Sequence, residues 1–231
     1  MDPELPVVRL CVEGMRAEAE GRAEMALVLF QQAWELAADD YEACIAAHYL
    51  ARHQNSPQET LRWNQECLDR ADRVGGERVR SFYPSLYVNM GHAYRRLGQT
   101  ALAHRYFRRA VQRVGDAPVG QYGDWNRFAI AEGLRDTAPV AGGDATETGD
   151  LTAWALEDAI DGRVQRLLSQ WCARAEIKAL GLTLPAYLGY LGMDEDRMRL
   201  RTALHMVHAA RWLPEDEQAE LEQLIEAVVV R

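Results

Sequence analysis

The sequence predicts an all-α protein on three observations. Residues 84–110 contain two amphipathic helical patterns on either side of a turn at Leu97-Gly98-Gln99. The same pattern occurs near the beginning of the chain, over residues 7–38, and residues 151–231 show helical periodicity only. A run of small and polar residues at 136–150 separates the two regions and is typical of a linker.

Six positions have the same spacing in the two matching stretches. Small residues fall where two helices would cross, and large residues fall where the next layer would pack. The six are Gly91, Tyr94, Gly98, Ala103, Phe107 and Ala110 in one stretch, and Gly14, Ala17, Gly21, Ala26, Phe30 and Ala33 in the other. The pattern resembles the tetratricopeptide repeat (TPR), a helix–turn–helix unit of about 34 residues. The resemblance implies a solenoid of helical hairpins that binds proteins or peptides.

A degenerate copy lies between these two stretches, at residues 41–71. Its six equivalent positions hold His48, Ala51, Asn55, Thr60, Asn64 and Cys67. The amphipathic period persists, and Asn55-Ser56-Pro57 predicts a turn with proline at a helix start. We therefore expect three TPR-like helix pairs.

The second and third copies are separated by more residues than the first and second. We expect the second pair to end in a lengthened helix that stops at Gly75-Gly76, followed by a loop at about 74–80. If the next helix begins near Glu77, then Pro84 lies inside it and kinks it.

A further amphipathic helix follows the third pair, at residues 124–134, after a break at Gly115-Asp116-Ala117-Pro118. Because repeat arrays need a terminal helix over the last apolar face, we expect this helix to cap the array, with Trp125, Phe128 and Ala129 facing the third pair. The predicted organisation is an array at 1–135, a linker at 136–150 and a small helical domain at 151–231.

The predicted C-terminal domain contains four helical patterns. The first is a long helix at 151–180, ended by Gly181, and Thr183 caps a short helix with Pro185 in its first turn. Asp194 begins a third helix, and a fourth begins after Pro214. We favour a separate domain over a continuation of the solenoid.

Composition predicts a cytoplasmic protein. No apolar run reaches the roughly 18 residues of a membrane span, and the first residues lack a signal-peptide pattern. No pair of cysteines is closely spaced, so Cys11, Cys44, Cys67 and Cys172 are expected to be buried, reduced thiols. The scarcity of lysine and the abundance of alanine and arginine are typical of a GC-rich bacterial genome.

The candidate binding site follows from the TPR resemblance, in which the first helix of each pair faces a concave groove. The groove positions are Tyr49, Arg52, His53, Asn89, His92, Arg95 and Arg96. Arginine suits capture of carboxylates and asparagine can bond a peptide backbone, so the expected partner is a protein or an acidic peptide. The clamp by which some TPR proteins hold chaperone tails is incomplete, because the first repeat offers Cys11 and Met15.

Other functions have weaker support from the sequence. No catalytic signature or phosphate-binding loop occurs, so we expect neither an enzyme nor a cofactor, and His205 and His208 lack a third ligand for a metal. One alternative is a peptide-sensing transcriptional regulator with a helix-turn-helix-like segment at 183–200. Its acidic start, Asp194-Glu195-Asp196, disfavours nucleic acid.

Charge asymmetry suggests a second alternative, a self-associating scaffold. Residues 136–231 carry 9 basic and 17 acidic side chains, whereas residues 1–135 carry 17 and 18. The acidic domain of one copy could dock on the arginine-rich groove of another and form a homodimer.

Overall fold

The protein is all-α throughout residues 2–138, 156 and 158–228, the part of the chain that this computed structural model describes. No helix in these ranges is both long enough and apolar enough to cross a membrane. The described helices are α1 (Pro6–Ala19), α2 (Ala23–Leu36), α3 (Asp40–Leu50), α4 (Pro57–Val74), α5 (Glu77–Arg80), α6 (Tyr83–Arg96), α7 (Thr100–Arg113), α8 (Gln121–Thr137), α9 (Asp158–Ala173), α10 (Ile177–Leu188), α11 (Asp194–Ala210) and α12 (Glu215–Ala227).

The chain divides into two compact units, Met1–Pro139 and Val140–Arg231. Helices α1 to α8 belong to the first unit and α9 to α12 to the second. Helix α8 continues to Thr137, past the start of the linker predicted at 136–150, and the Thr137 hydroxyl donates to the Gly133 carbonyl. Residues 139–150 of that predicted linker lie outside the described residues.

The first unit is built from three pairs of helices in chain order. Helix α1 packs on α2, α3 on α4 and α6 on α7, and neighbouring pairs meet through the contacts of α2 with α3 and of α4 with α6. Helix α8 packs on both α6 and α7, as expected for a helix that covers the last pair. Of the three residues predicted to face the third pair, Ala129 is buried and Phe128 is half-buried, whereas Trp125 is 53% exposed, contrary to the prediction.

A glycine and a phenylalanine set the approach of the helices in the first and third pairs. A Cβ atom at Gly14 would lie 2.3 Å from Cε1 of Phe30, and one at Gly91 would lie 2.8 Å from Cε1 of Phe107. Both rings are fully buried. Any larger residue at these glycines would therefore force the ring or the helix to move.

The connection between the second and third pairs follows the glycines of the sequence. Helix α4 extends to Val74, as predicted, and the backbone then turns through Gly75 and Gly76 at φ values of 61° and 66°. The one-turn helix α5 comes before α6, where Pro84 occupies the first turn. The condition for a kink is therefore not met, since α6 begins at Tyr83 and a proline in the first turn removes no helical hydrogen bond.

The second unit has its own core, in which Trp171 is fully buried and its indole Nε1 donates to Glu217 at 2.9 Å. Helix α9 packs on α10 and α12, and α11 packs on α10 and α12. Cys172, on α9, is exposed, whereas the other three cysteines are buried. The four cysteines are free thiols, but only three match the expected burial.

The predicted helix at 151–180 is helical over 158–173, but its predicted end at Leu180 is wrong. Helix α9 ends at Ala173, because Ala175 adopts a left-handed conformation with φ of 55°. The Glu176 amide donates to the Trp171 carbonyl and the Ala175 amide to the Cys172 carbonyl, which is the Schellman arrangement usually made by glycine. Thr183 and Pro185 consequently lie inside α10 and do not begin it.

We expect Gly14→Ala to lower the free energy of unfolding by about 1–3 kcal/mol, because the added methyl group overlaps the buried Phe30 ring. Urea unfolding followed by circular dichroism measures the change. Gly115→Ala is the matched control, because nothing lies within 4 Å of a Cβ atom there. Equal stability of the two variants would contradict the role assigned to the contact.

Candidate functional site

Two cavities in the first unit share Arg52 in their linings. The first, which we call the basic cavity, has a volume of about 350 Å³ and is lined by Arg52, Asn64, Asn89, His92, Arg95 and Arg96 among others. The second, which we call the aromatic cavity, has a volume of about 450 Å³ and is lined by residues that include Met15, Tyr41, His48, Tyr49, Arg52, Arg78, Phe82 and Tyr122. Both volumes fall in the range of ligand-binding cavities.

The structure brings most of the predicted groove residues to the basic cavity. Those that line it are Arg52, Asn89, His92, Arg95 and Arg96. Tyr49 instead lines the aromatic cavity. His53 appears in neither lining: its ring centroid lies 5.2 Å from that of Phe30, and its Nε2 is 3.6 Å from Glu18 Oε1.

The three arginines of the basic cavity differ in their partners. Arg52 forms an ion pair with Glu18 at 2.6 Å, and Arg95 forms one with Asp136. Arg96 is exposed and has no carboxylate partner among the described residues. An anion that enters the cavity therefore meets one unpaired guanidinium beside two that are already engaged.

Asn64, which is not among the predicted groove residues, is the most unusual residue of the basic cavity. It is fully buried, and within the described chain neither its Nδ2 nor its Oδ1 has a hydrogen-bond partner. A buried polar group without a partner costs about 1–3 kcal/mol. The sequence did contain a signal, because Asn64 occupies the position that Phe30 and Phe107 hold in the flanking pairs.

His92 is uncharged at neutral pH. Burial lowers its pKa most, followed by the Arg95 guanidinium; Arg96 lowers it further, while Glu132 and Asp136 act in the opposite direction. Its ring meets that of Phe107 edge-on at 5.2 Å. The neutral imidazole contributes one donor and one acceptor to the cavity.

His48 takes the place of Gly14 and Gly91 in the middle pair, and it lines the aromatic cavity. Burial, and then the charge of Arg52, lower the pKa of His48 to about 4. Its Nδ1 is shielded from solvent and has no partner in the described residues. Hence the pair that lacks the glycine–phenylalanine contact places a polar side chain at each of the two cavities.

No family model, curated protein or solved structure matches this chain. Across the described ranges, no three His, Cys, Asp or Glu side chains lie close enough together to hold a metal ion.

The segment considered for DNA binding forms a corner between α10 and α11. The buried carboxylate of Asp196 accepts hydrogen bonds from the backbone amides of Leu191 and Met193, at 3.0 and 3.2 Å. Arg197 and Arg199 pair with acidic residues one turn earlier on α11. Asp196 thus stabilises the corner, and both arginines are already engaged by carboxylates of their own helix.

We expect Asn64→Leu to raise the free energy of unfolding of the ligand-free protein by about 1–3 kcal/mol, because it removes two buried, unpartnered polar atoms at similar volume. Urea unfolding measures the change. Thr137→Val is the matched control: Thr137 is also buried, but its hydroxyl donates to the Gly133 carbonyl at 2.6 Å, so its replacement at similar volume should destabilise. Destabilisation by both variants would contradict this account of Asn64.

We also expect the first unit to lose stability in mild acid. In the unfolded chain His48 titrates near its usual pKa of about 6.5, so below that pH the unfolded state binds a proton that the folded state does not. The loss should be about 2 kcal/mol between pH 7 and pH 5, with His92 and His104 acting in the same direction. The measurement is the change in free energy of unfolding between pH 7 and pH 5, which should be smaller in His48→Gln than in the wild-type chain. His205→Gln, at an exposed position, should show the same change as the wild-type chain.

Proposed function

We propose that the first unit is a TPR-like module that binds an acidic segment of a protein or peptide in the basic cavity, and that the chain works as an adaptor or regulator without catalysing a reaction. The observation that carries the proposal is the unpaired charge of Arg96 beside the unpartnered amide of Asn64. A carboxylate can accept from both groups, and a peptide bond can satisfy both the donor and the acceptor of an asparagine side chain.

The helix arrangement supports a binding module. Three consecutive pairs pack side by side with a further helix on the last, and the glycine–phenylalanine contact recurs in the first and third pairs. A rigid array of packed helices loses little conformational entropy when it binds an extended peptide. Tandem pairs of this kind are typical of repeat proteins that bind extended segments.

The two alternatives fit the site less well. A DNA-binding corner at 183–200 would present Asp194 and Glu195 to phosphate, while Arg197 and Arg199 are engaged by those same carboxylates. Self-association through the acidic region uses the same basic cavity, so it differs from the main proposal only in the identity of the occupant.

The test is fluorescence anisotropy of fluorescein-labelled peptides rich in glutamate, with peptides rich in lysine as the comparison, titrated with the full chain. We expect the acidic peptides to bind. We expect Arg96→Ala to lower their affinity by about tenfold, which is the effect of losing one charge-assisted hydrogen bond. Arg105→Ala is the matched control, because Arg105 is an exposed arginine on α7 that does not line the cavity.

Higher salt should weaken binding of the acidic peptides to the wild-type chain. Equal affinity for acidic and basic peptides, or equal loss in the two arginine variants, would overturn the proposal. Light scattering at low and high salt distinguishes the self-association alternative, which requires a dimer that Arg96→Ala dissociates.

A further inference from the structure

We propose that the aromatic cavity receives a tyrosine or tryptophan side chain of the same bound peptide, adjacent in the peptide sequence to the acidic residue held in the basic cavity. This inference rests on the proposed function and specifies the class of peptide. The acidic residue alone would not distinguish one acidic segment from another, whereas an aromatic anchor beside it would.

The lining of the cavity suits a flat apolar group. Tyr41 and Tyr49 of α3 are buried in its wall, and Met15 of α1 and Phe82 contribute further apolar surface. The ring of Tyr49 stacks on that of Phe30 at 5.2 Å, which holds it in place. Aromatic walls of this kind favour another ring, because rings stack or meet edge-on.

His48 provides the polar contact that would favour tyrosine over phenylalanine. Its unpartnered Nδ1 belongs to a neutral imidazole, which offers either a donor or an acceptor at that atom. A tyrosine hydroxyl can do both, so it can pair with either tautomer, and an indole N–H can pair with the accepting one. The Ser85 hydroxyl, in contrast, already donates to the Phe82 carbonyl at 3.0 Å.

Arginines connect this cavity to the acidic part of the ligand. Arg52 lines both cavities, so groups bound in the two lie side by side. The guanidinium carbon of Arg78 lies 4.1 Å from the centre of the Tyr41 ring, and Arg78 has no carboxylate partner among the described residues. The charge next to the apolar wall therefore complements acidic residues on either side of the aromatic anchor.

The position in the sequence of several residues that line the aromatic cavity supports a binding role. Arg78, Ser81 and Phe82 belong to the extra residues that lengthen the step between the second and third pairs. Tyr122, which also lines the cavity, is 48% exposed and stacks on the exposed Trp125 at a centroid distance of 6.2 Å. The segment that interrupts the repeat period thus contributes three residues to the lining of the cavity, together with the exposed ring of Tyr122.

The test uses fluorescein-labelled short peptides in which a single tyrosine, phenylalanine or alanine is flanked by glutamates, titrated with the full chain. We expect the tyrosine peptide to bind at least about tenfold more tightly than the alanine peptide, because an aromatic side chain is buried, and severalfold more tightly than the phenylalanine peptide. Equal affinity for the tyrosine and alanine peptides would overturn the inference.

A variant that fills the cavity provides the second arm. Ser81 is exposed and lines the cavity, so Ser81→Trp should occupy the space of the anchor with little effect on folding. It should abolish the preference for tyrosine while leaving the alanine peptide unaffected. Ser169→Trp, at an exposed position on α9, is the matched control and should leave all affinities unchanged.

The two arms separate this inference from the function on which it rests. If the alanine peptide binds and responds to Arg96→Ala, but the tyrosine peptide binds no better, then the basic cavity is a binding site and the anchor is wrong. If none of the acidic peptides binds, both proposals are wrong. Persistence of the tyrosine preference in Ser81→Trp would place the anchor elsewhere and overturn the assignment to this cavity.

Discussion

The contact between a phenylalanine ring and a glycine on the partner helix determines how the first unit is packed. With no side chain at Gly14 or Gly91, the ring of Phe30 or Phe107 lies directly against the helix backbone. Phe107 makes a second contact of this kind, because a Cβ atom at Gly133 of α8 would lie 2.3 Å from its ring. One ring thus joins the third pair to the helix that covers it. Each fully buried ring contributes about 1.5–3 kcal/mol through removal of apolar surface from water.

The middle pair departs from this packing, and both cavities are lined by residues of its helices. His48 takes the place of the glycine and Asn64 the place of the phenylalanine, and atoms of both side chains are buried without partners in the described chain. Polar residues at these packing positions lower the free energy of unfolding, and they conflict with the packing that the flanking pairs show. The flanking pairs, which keep the glycine–phenylalanine contact, supply the rigid surroundings that let the middle pair hold polar groups in place. Destabilising residues held within a stable surrounding structure, as the middle pair is between the flanking pairs, are common at binding sites.

The sequence predicted those parts of the fold that depend on local signals. The spacing of glycine and phenylalanine predicted α1 with α2 and α6 with α7, because each contact involves residues within one repeat. The end of α9 could not be predicted, since Ala175 takes a left-handed conformation that sequence patterns assign to glycine. In the site, equivalent repeat positions identified Arg52, Arg95 and Arg96. Asn64 was not among the predicted groove residues because it lies on α4, the second helix of its pair, whereas the groove positions come from the first helix. The available signal was its place in the repeat pattern, where the flanking pairs hold Phe30 and Phe107.

The ion pairs of the free protein affect how selective the basic cavity can be. Arg52 and Arg95 are partly exposed and already paired with Glu18 and Asp136, and surface pairs of this kind are worth about 0–1 kcal/mol. A ligand carboxylate that replaces one of these acids gains little net energy from the exchange. Arg96 and Asn64 have no such competitor in the described chain, so a ligand displaces no acidic side chain to reach either of them. Affinity should therefore come mainly from these two residues, while the paired arginines favour acidic ligands by repelling basic ones and by steering the approach of acidic ones.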